Sequence, residues 1–313
     1  MIPAALLTLA AIAAAIVLTG QQLHNSNAPQ NPNAPQNLNV PQSSNAPQIT
    51  PPTSTAHREP TYGAQVALPF TGLNQPGDVA VDTAGNVYVA NYGNHRVLRL
   101  AAGSSFPMML PFTGLNKPQG MAVDAAGDLF VTDPGNKRVV KLAAGSGTPV
   151  VLPFTGLNQP WGVAVDTAGN LYVTDVITDQ VVKLAADSAA QTVLPFTGLD
   201  APQSVAVDTA GNLYATDYSN NRVLKLPAGS GAQTELPFTG LNGPYGVAVN
   251  AAGDLYVADN GHNRVLKLPA GSATPTELPF TRLDHPDGVA VDTAGNIYVT
   301  DYGNERVVEL PAG

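Results

Sequence analysis

Trp161 is the one tryptophan in a chain of 313 residues, and it directly follows a proline. Five other prolines in equivalent surroundings are followed by Gly77, Gln119, Gln203, Tyr245 and Asp287. A second variable position, each time after an Asp or Asn, reads Tyr92, Pro134, Val176, Tyr218, Asn260 and Tyr302. Aromatic rings interleaved with amides and one carboxylate suit recognition of a protein, peptide or glycan surface by stacking and a few directed hydrogen bonds. The candidate ligand-binding residues are therefore Trp161, Tyr245, Gln119, Gln203, Asp287, Tyr92, Tyr218 and Tyr302. They stand out because they differ between repeats, whereas a residue shared by all repeats is explained by the shared fold.

A catalytic set is harder to assemble. The chain has no cysteine and five histidines, and His24 and His57 fall in its polar N-terminal part. His95, His262 and His285 belong to different repeats, and no H-x-x-E pairing brings a glutamate to any of them. No catalytic residue, metal ligand or cofactor is assigned, and the expectation is a non-catalytic chain. A net charge of −9, from 14 basic and 23 acidic residues, argues against a nucleic-acid partner.

The elements that carry these positions repeat. "LPFTGL" begins at Leu68, Leu110, Leu152, Leu194 and Leu236, and "LPFTRL" at Leu278, always 42 residues apart. Within one unit, "DVAVD" and "NVYVA" are short β-patterned runs joined by a turn in which Asp82 caps and Gly85 takes positive φ. "RVLRL" is a third strand, and a fourth leads into the next "LPF". Four short antiparallel strands in about 40–45 residues are the mark of a propeller blade. Leu and Phe of the hexapeptide are expected to wedge between neighbouring blades. The second Asp series (Asp133, Asp175, Asp217, Asp259, Asp301, with Asn91) precedes Arg96, Arg138, Arg222, Arg264 and Arg306 by five residues, which predicts ion pairs or backbone bonds within or between blades; Gln180 replaces the arginine in the third unit. The two variable positions are expected on loops of one rim. Because the sixth unit ends after three strands, Gln65–Phe70 is expected to pair with Arg306–Leu310 and close an all-β ring of six blades over residues 62–313.

The pattern P-x-G-V-A-V-D-x-x-G-N-x-Y-V-x-D-x-x-N-x-R-V, carried by "QPWGVAVDTAGNLYVTD" and "YSNNRVLKL", resembles the NHL repeat. With an apolar start and a polar linker ahead of it, the chain also resembles the extracytoplasmic sensor half of mycobacterial receptor serine/threonine kinases. That resemblance implies a rigid ligand-sensing or adhesive propeller outside the membrane, with kinase activity only in a fused or separately encoded domain. The chain itself lacks the Gly-rich phosphate loop, V-A-I-K, H-R-D-L and D-F-G. Other propeller relatives are metal-dependent lyases or lactonases, which sets the alternative reading.

Residues 1–20 carry no charged side chain, and an apolar helix of about 18–20 residues spans the hydrocarbon of a bilayer. They are read as a single-pass membrane anchor, with a cleaved signal peptide as the alternative. Residues 21–61, with "NAPQ" at Asn27, Asn33 and Asn45, hold too little apolar surface to offset chain entropy and are read as a disordered tether. The expected partners are thus the membrane, through residues 1–20, and an extracytoplasmic protein, peptide or glycan; monomer and homodimer both stay open.

Overall fold

The computed structural model describes residues 61–186, 188 and 190–313. The expected anchor, 1–20, and all of the expected linker except Thr61 lie outside the described residues. Among the described residues no helix is long and apolar enough to cross a membrane.

The described chain forms six antiparallel four-stranded sheets, which are the blades of a propeller. Blade 1 consists of Pro76–Val81, Val87–Asn91, Arg96–Leu100 and Met108–Met109, from the channel outward. Blades 2 to 5 repeat this order, with innermost strands Met121–Val123, Pro160–Val165, Pro202–Val207 and Pro244–Val249. Blade 6 takes Pro286–Val291, Ile297–Asp301 and Arg306–Leu310 from the C-terminus and its outer strand, Val66–Ala67, from the far end of the described chain. Val66 pairs with Glu309 and Ala67 with Val308. The seam is continued by Leu68 N–H to Val307 O (2.9 Å) and Gly63 N–H to Pro311 O (2.8 Å), so the regular strand is shorter than Gln65–Phe70 and irregular bonds extend it.

Each gap between blades is filled in the same way. Leu73 is buried with Val79, Val89 and Leu98 of blade 1 and with Tyr298 and Val307 of blade 6, and Leu68 and Phe70 pack against that cluster. Alternation along the innermost strand lets a large residue serve one face and a small one the other: Val163 packs toward Phe130 and Val139 of blade 2, Ala164 toward Val205 and Leu224 of blade 4. Burying each such leucine contributes about 1.5–3 kcal/mol, which is why the hexapeptide recurs.

The two Asp series hold the loops. Asp82 accepts the N–H groups of Ala84 (3.0 Å) and Asn86 (2.9 Å) and the Tyr88 hydroxyl (2.9 Å), closing the first hairpin. Asn250 accepts the matching N–H groups of Ala252 and Asp254, as a turn role requires. In the second series Asp133, fully buried, accepts Asn116 N–H (2.7 Å) and pairs with Arg138 Nε (2.7 Å), while Arg138 Nη2 reaches the Gly114 carbonyl (3.1 Å). Asp217–Arg222, Asp259–Arg264 and Asp301–Arg306 repeat the pair. In blade 3, where Gln180 stands for the arginine, Asp175 is satisfied by backbone N–H groups of Asn158, Gln159, Ile177 and Thr178.

Candidate functional site

In blades 1 and 3 to 6 the residue after the inner proline is in a strand and not in a loop, contrary to the sequence expectation, whereas Gln119 of blade 2 precedes the strand Met121–Val123. Each proline of blades 1 and 3 to 6 opens the innermost strand, a bulge lies between it and the next valine pair, and the variable side chain stands at the channel mouth. The second variable position starts the short turn that joins the second and third strands, such as Tyr92–Asn94 and Tyr302–Asn304. Strand and turn together enclose a basin of about 200 Å³ lined by Tyr92, Gln119, Trp161, Tyr245, Asn260, His285, Asp287 and Tyr302.

Six of the eight expected residues meet there, and Gln203 and Tyr218 do not. The Tyr218 ring packs edge-on behind Tyr245, with centroids 5.2 Å apart and an interplanar angle of 86°, so it supports the wall without facing the cavity. Gln203 lies deeper, in a water-sized neck shared with Asp78, Gln119, Trp161, Ser204, Tyr245 and Asp287. Its amide nitrogen donates to Ala201 O (3.1 Å), while its buried Oε1 accepts no bond. Trp161 and Tyr92 stand 6.4 Å apart, tilted by 52°, and the buried Trp161 Nε1 also has no partner.

Three of the expected rim residues, Gln119, Gln203 and Asp287, are 3%, 8% and 7% exposed, so they belong to the floor and neck and not to an open rim. Gln119 Nε2 donates to both oxygens of Asp287, at 3.2 and 3.1 Å, between blades 2 and 6. These blades flank blade 1, whose residue at this level is Gly77. A Cβ there would lie 2.6 Å from Gln119 Oε1, so glycine leaves the space the glutamine crosses.

Asp78 was missed by sequence reasoning. It follows Gly77, where the other blades carry Gly120, Gly162, Ser204, Gly246 and Gly288. Small residues are needed there because a Cβ at Gly162 would sit 2.7 Å from the Gln203 carbonyl oxygen of the next blade. A charged residue among five small ones was the available signal. The Asp78 carboxylate accepts Met121 N–H (2.9 Å) and Val79 N–H (2.8 Å). Enclosure pushes it up to about 7, against the lowering effect of those two bonds. Asp287 is raised well above the ordinary carboxylate range, first by burial and then by the charge of Asp78, with Gln119 opposing. Burial, followed by the Asp287 charge, raises Tyr245 and Tyr302 as well.

Threonines of the second strands tie the blades together just below. Thr132 donates to Trp161 O (2.6 Å), Thr174 to Gln203 O (3.1 Å), Thr216 to Tyr245 O (2.7 Å) and Thr300 to Gly77 O (2.6 Å). The backbones that present the mouth residues are therefore fixed to the neighbouring blade.

The profile of the NHL repeat matches residues 73–100, 115–142, 157–181, 199–226, 241–268 and 283–310, the same six blades. The chain belongs to the NHL-repeat family. A segment of this chain is similar to serine/threonine-protein kinase PknD of Mycobacterium tuberculosis, at 56% identity over 45 residues. That stretch is 13% of this chain and 7% of the kinase, so most of the relative has no counterpart in the match. Among solved structures, the gluconolactonase XC5397 of Xanthomonas campestris is 16% identical with a TM-score of 0.67, over 80% of this chain and 89% of that one. A chain of the nidogen/laminin complex is 22% identical with a TM-score of 0.63, over 70% of this chain and 86% of that one. At such identities the likeness to both structures is one of fold.

Proposed function

We propose that this NHL propeller is a non-catalytic binding module, the extracytoplasmic sensor or adhesion head of a receptor-kinase type signalling protein. In this reading residues 1–20 hold it to the cell membrane, residues 21–61 space it from the surface, and a protein, peptide or glycan docks at the channel mouth. The observation that carries the proposal is the basin walled by Tyr92, Trp161, Tyr245 and Tyr302 over a floor of Gln119 and Asp287. Large, rigid aromatic side chains give contact area at low entropy cost, and the few polar groups orient a partner. The local similarity to PknD supports association with a kinase.

The alternative, a metal-dependent lyase or lactonase, draws on the fold it shares with the gluconolactonase. Among the described residues no group of three or more His, Cys, Asp or Glu side chains is placed to hold a metal ion. We carry forward the binding reading.

Trp161 makes the test direct, because it is the chain's sole tryptophan and lines the basin. Peptides and oligosaccharides of the cell surface, titrated into the full-length protein, should change its indole fluorescence saturably. Trp161→Ala and Tyr245→Ala should abolish that binding, read by calorimetry, with the β-sheet circular dichroism retained. Binding that persists in both variants would refute the site.

A further inference from the structure

Four aromatic rings wall the basin and a buried carboxylate stands in its floor. Among the described residues that line it, none is a lysine or an arginine. We propose that the basin takes a single organic cation bearing N–H groups, an alkylammonium or guanidinium head. This rests on the reading of the basin as the binding site and names the chemistry of its ligand.

The faces of Trp and Tyr rings carry negative potential, and a cation held over them is attracted more strongly as water is excluded. The fold already makes this contact at the edge of the site, where Lys117 Nζ lies 5.5 Å from the Tyr92 ring centroid. Asp287 has Gln119 Nε2 as its hydrogen-bond partner, and its charge reaches Tyr245 and Tyr302. Gln203 is more than nine-tenths buried in the neck beneath, and its Oε1 lacks a donor. An N–H-bearing head can supply that donor directly or through one water, whereas a quaternary ammonium cannot. Trp161 Nε1, the unpaired donor of the neck, calls for an acceptor, as the amide carbonyl beside a peptide lysine provides. Next to the basin, a groove that shares Tyr92 and Trp161 carries Lys117 and Lys137, which oppose a second cationic head.

The charge balance is explicit. The titratable groups around Asp287 are Asp78 below and Tyr245, Tyr302, Tyr92 and His285 around the basin, with Lys117 outside at Tyr92. Burial and the charge of Asp78 raise the Asp287 carboxyl, which favours retention of a proton by the pair when no cation is beside it. An arriving R–NH3+ expels that proton, leaving R–NH3+ against the ionised Asp287 and one proton in solvent. Affinity therefore rises with pH while the amine stays charged.

The probes are butylammonium, N-acetyl-lysine methylamide, tetramethylammonium, 1-pentanol, butyrate and spermidine, each titrated into the full-length protein by Trp161 fluorescence and calorimetry. Butylammonium and the lysine amide should saturate. Tetramethylammonium and pentanol should bind at least about tenfold more weakly, butyrate not at all, and spermidine no tighter than butylammonium. Asp287→Asn should weaken butylammonium about tenfold or more and leave pentanol unchanged. Should that variant fail to fold, wild type and His285→Gln are compared from about pH 5 to about pH 8, where butylammonium affinity should rise in both. A lysine amide clearly tighter than butylammonium assigns the head to a peptide, and equal affinities to a free amine. Pentanol or butyrate binding as well as butylammonium, or no response to any cation at millimolar concentration, overturns the proposal. If a neutral oligosaccharide still binds through Trp161, the binding function stands and the cationic ligand alone falls.

Discussion

Replacing Asp78 by asparagine removes a charge from the narrowest part of the channel while keeping the side chain's shape. In the unfolded chain this carboxyl ionises near 3.8, and in the folded ring it is pushed up to about 7. A carboxyl raised on folding contributes stability at acid pH that is lost as pH climbs through the folded value, because the buried form must give up its proton. Each unit is worth about 1.4 kcal/mol, so the two units between pH 5 and pH 7 correspond to about 2.7 kcal/mol. Part of the Asp78 surface opens on channel water although the sheets enclose it, so about 2 kcal/mol is the working figure. Asp287, raised by burial and by Asp78, acts in the same direction. Asparagine can accept one of the two N–H bonds, from Val79 or Met121, and losing the other costs about 1–3 kcal/mol at every pH. Guanidinium unfolding at about pH 5 and about pH 7.5, followed by circular dichroism and Trp161 emission, should show the variant gaining about 2 kcal/mol on wild type at the higher pH. Parallel curves for the two proteins would sink the assignment of a strained carboxyl to Asp78.

The repeats supply their own controls for the other predictions. Asn91→Asp restores the carboxylate that four other blades pair with arginine, and Arg96 Nε is buried there without a partner; it should raise stability by about 1 kcal/mol in chemical denaturation. Thr300→Val removes the hydroxyl that accepts Gly288 N–H (2.7 Å) and donates to Gly77 O across the seam, costing about 2–3 kcal/mol and speeding exchange of the Gly288 amide. Deleting residues 1–67 strips the outer strand of blade 6 and the bonds between Gln65 and Thr281 (2.7 and 3.3 Å). Its unfolding midpoint should fall well below that of a chain lacking only residues 1–60, and equal midpoints would mean the seam is not stabilised by this pairing.

Local order was readable because neighbours along the chain become neighbours in a blade. Asp82 binds groups a few residues away and Asp133 binds Arg138 and Asn116 of its own repeat, and each LPFTGL leucine packs into the blade that follows it, so a fixed 42-residue period carries those contacts with it. The aromatic wall was readable for a related reason: equal repeats put equivalent positions at equal height, and Tyr92, Trp161, Tyr245 and Tyr302 converge by rotation about the ring axis.

What the chain order alone determined is therefore the repeat, the four strands of each unit, the turn and ion-pair residues, and the missing strand that residues 66–67 provide. Tertiary structure decided how deep each mouth residue lies and which ones touch. Gln119 meets Asp287, 168 positions away, only because the ring curves and Gly77 leaves the intervening blade without a side chain. Asp78 becomes a perturbed carboxyl only because six strands crowd it at the centre. Burial and channel width belong to the closed ring, and no single 42-residue unit contains them.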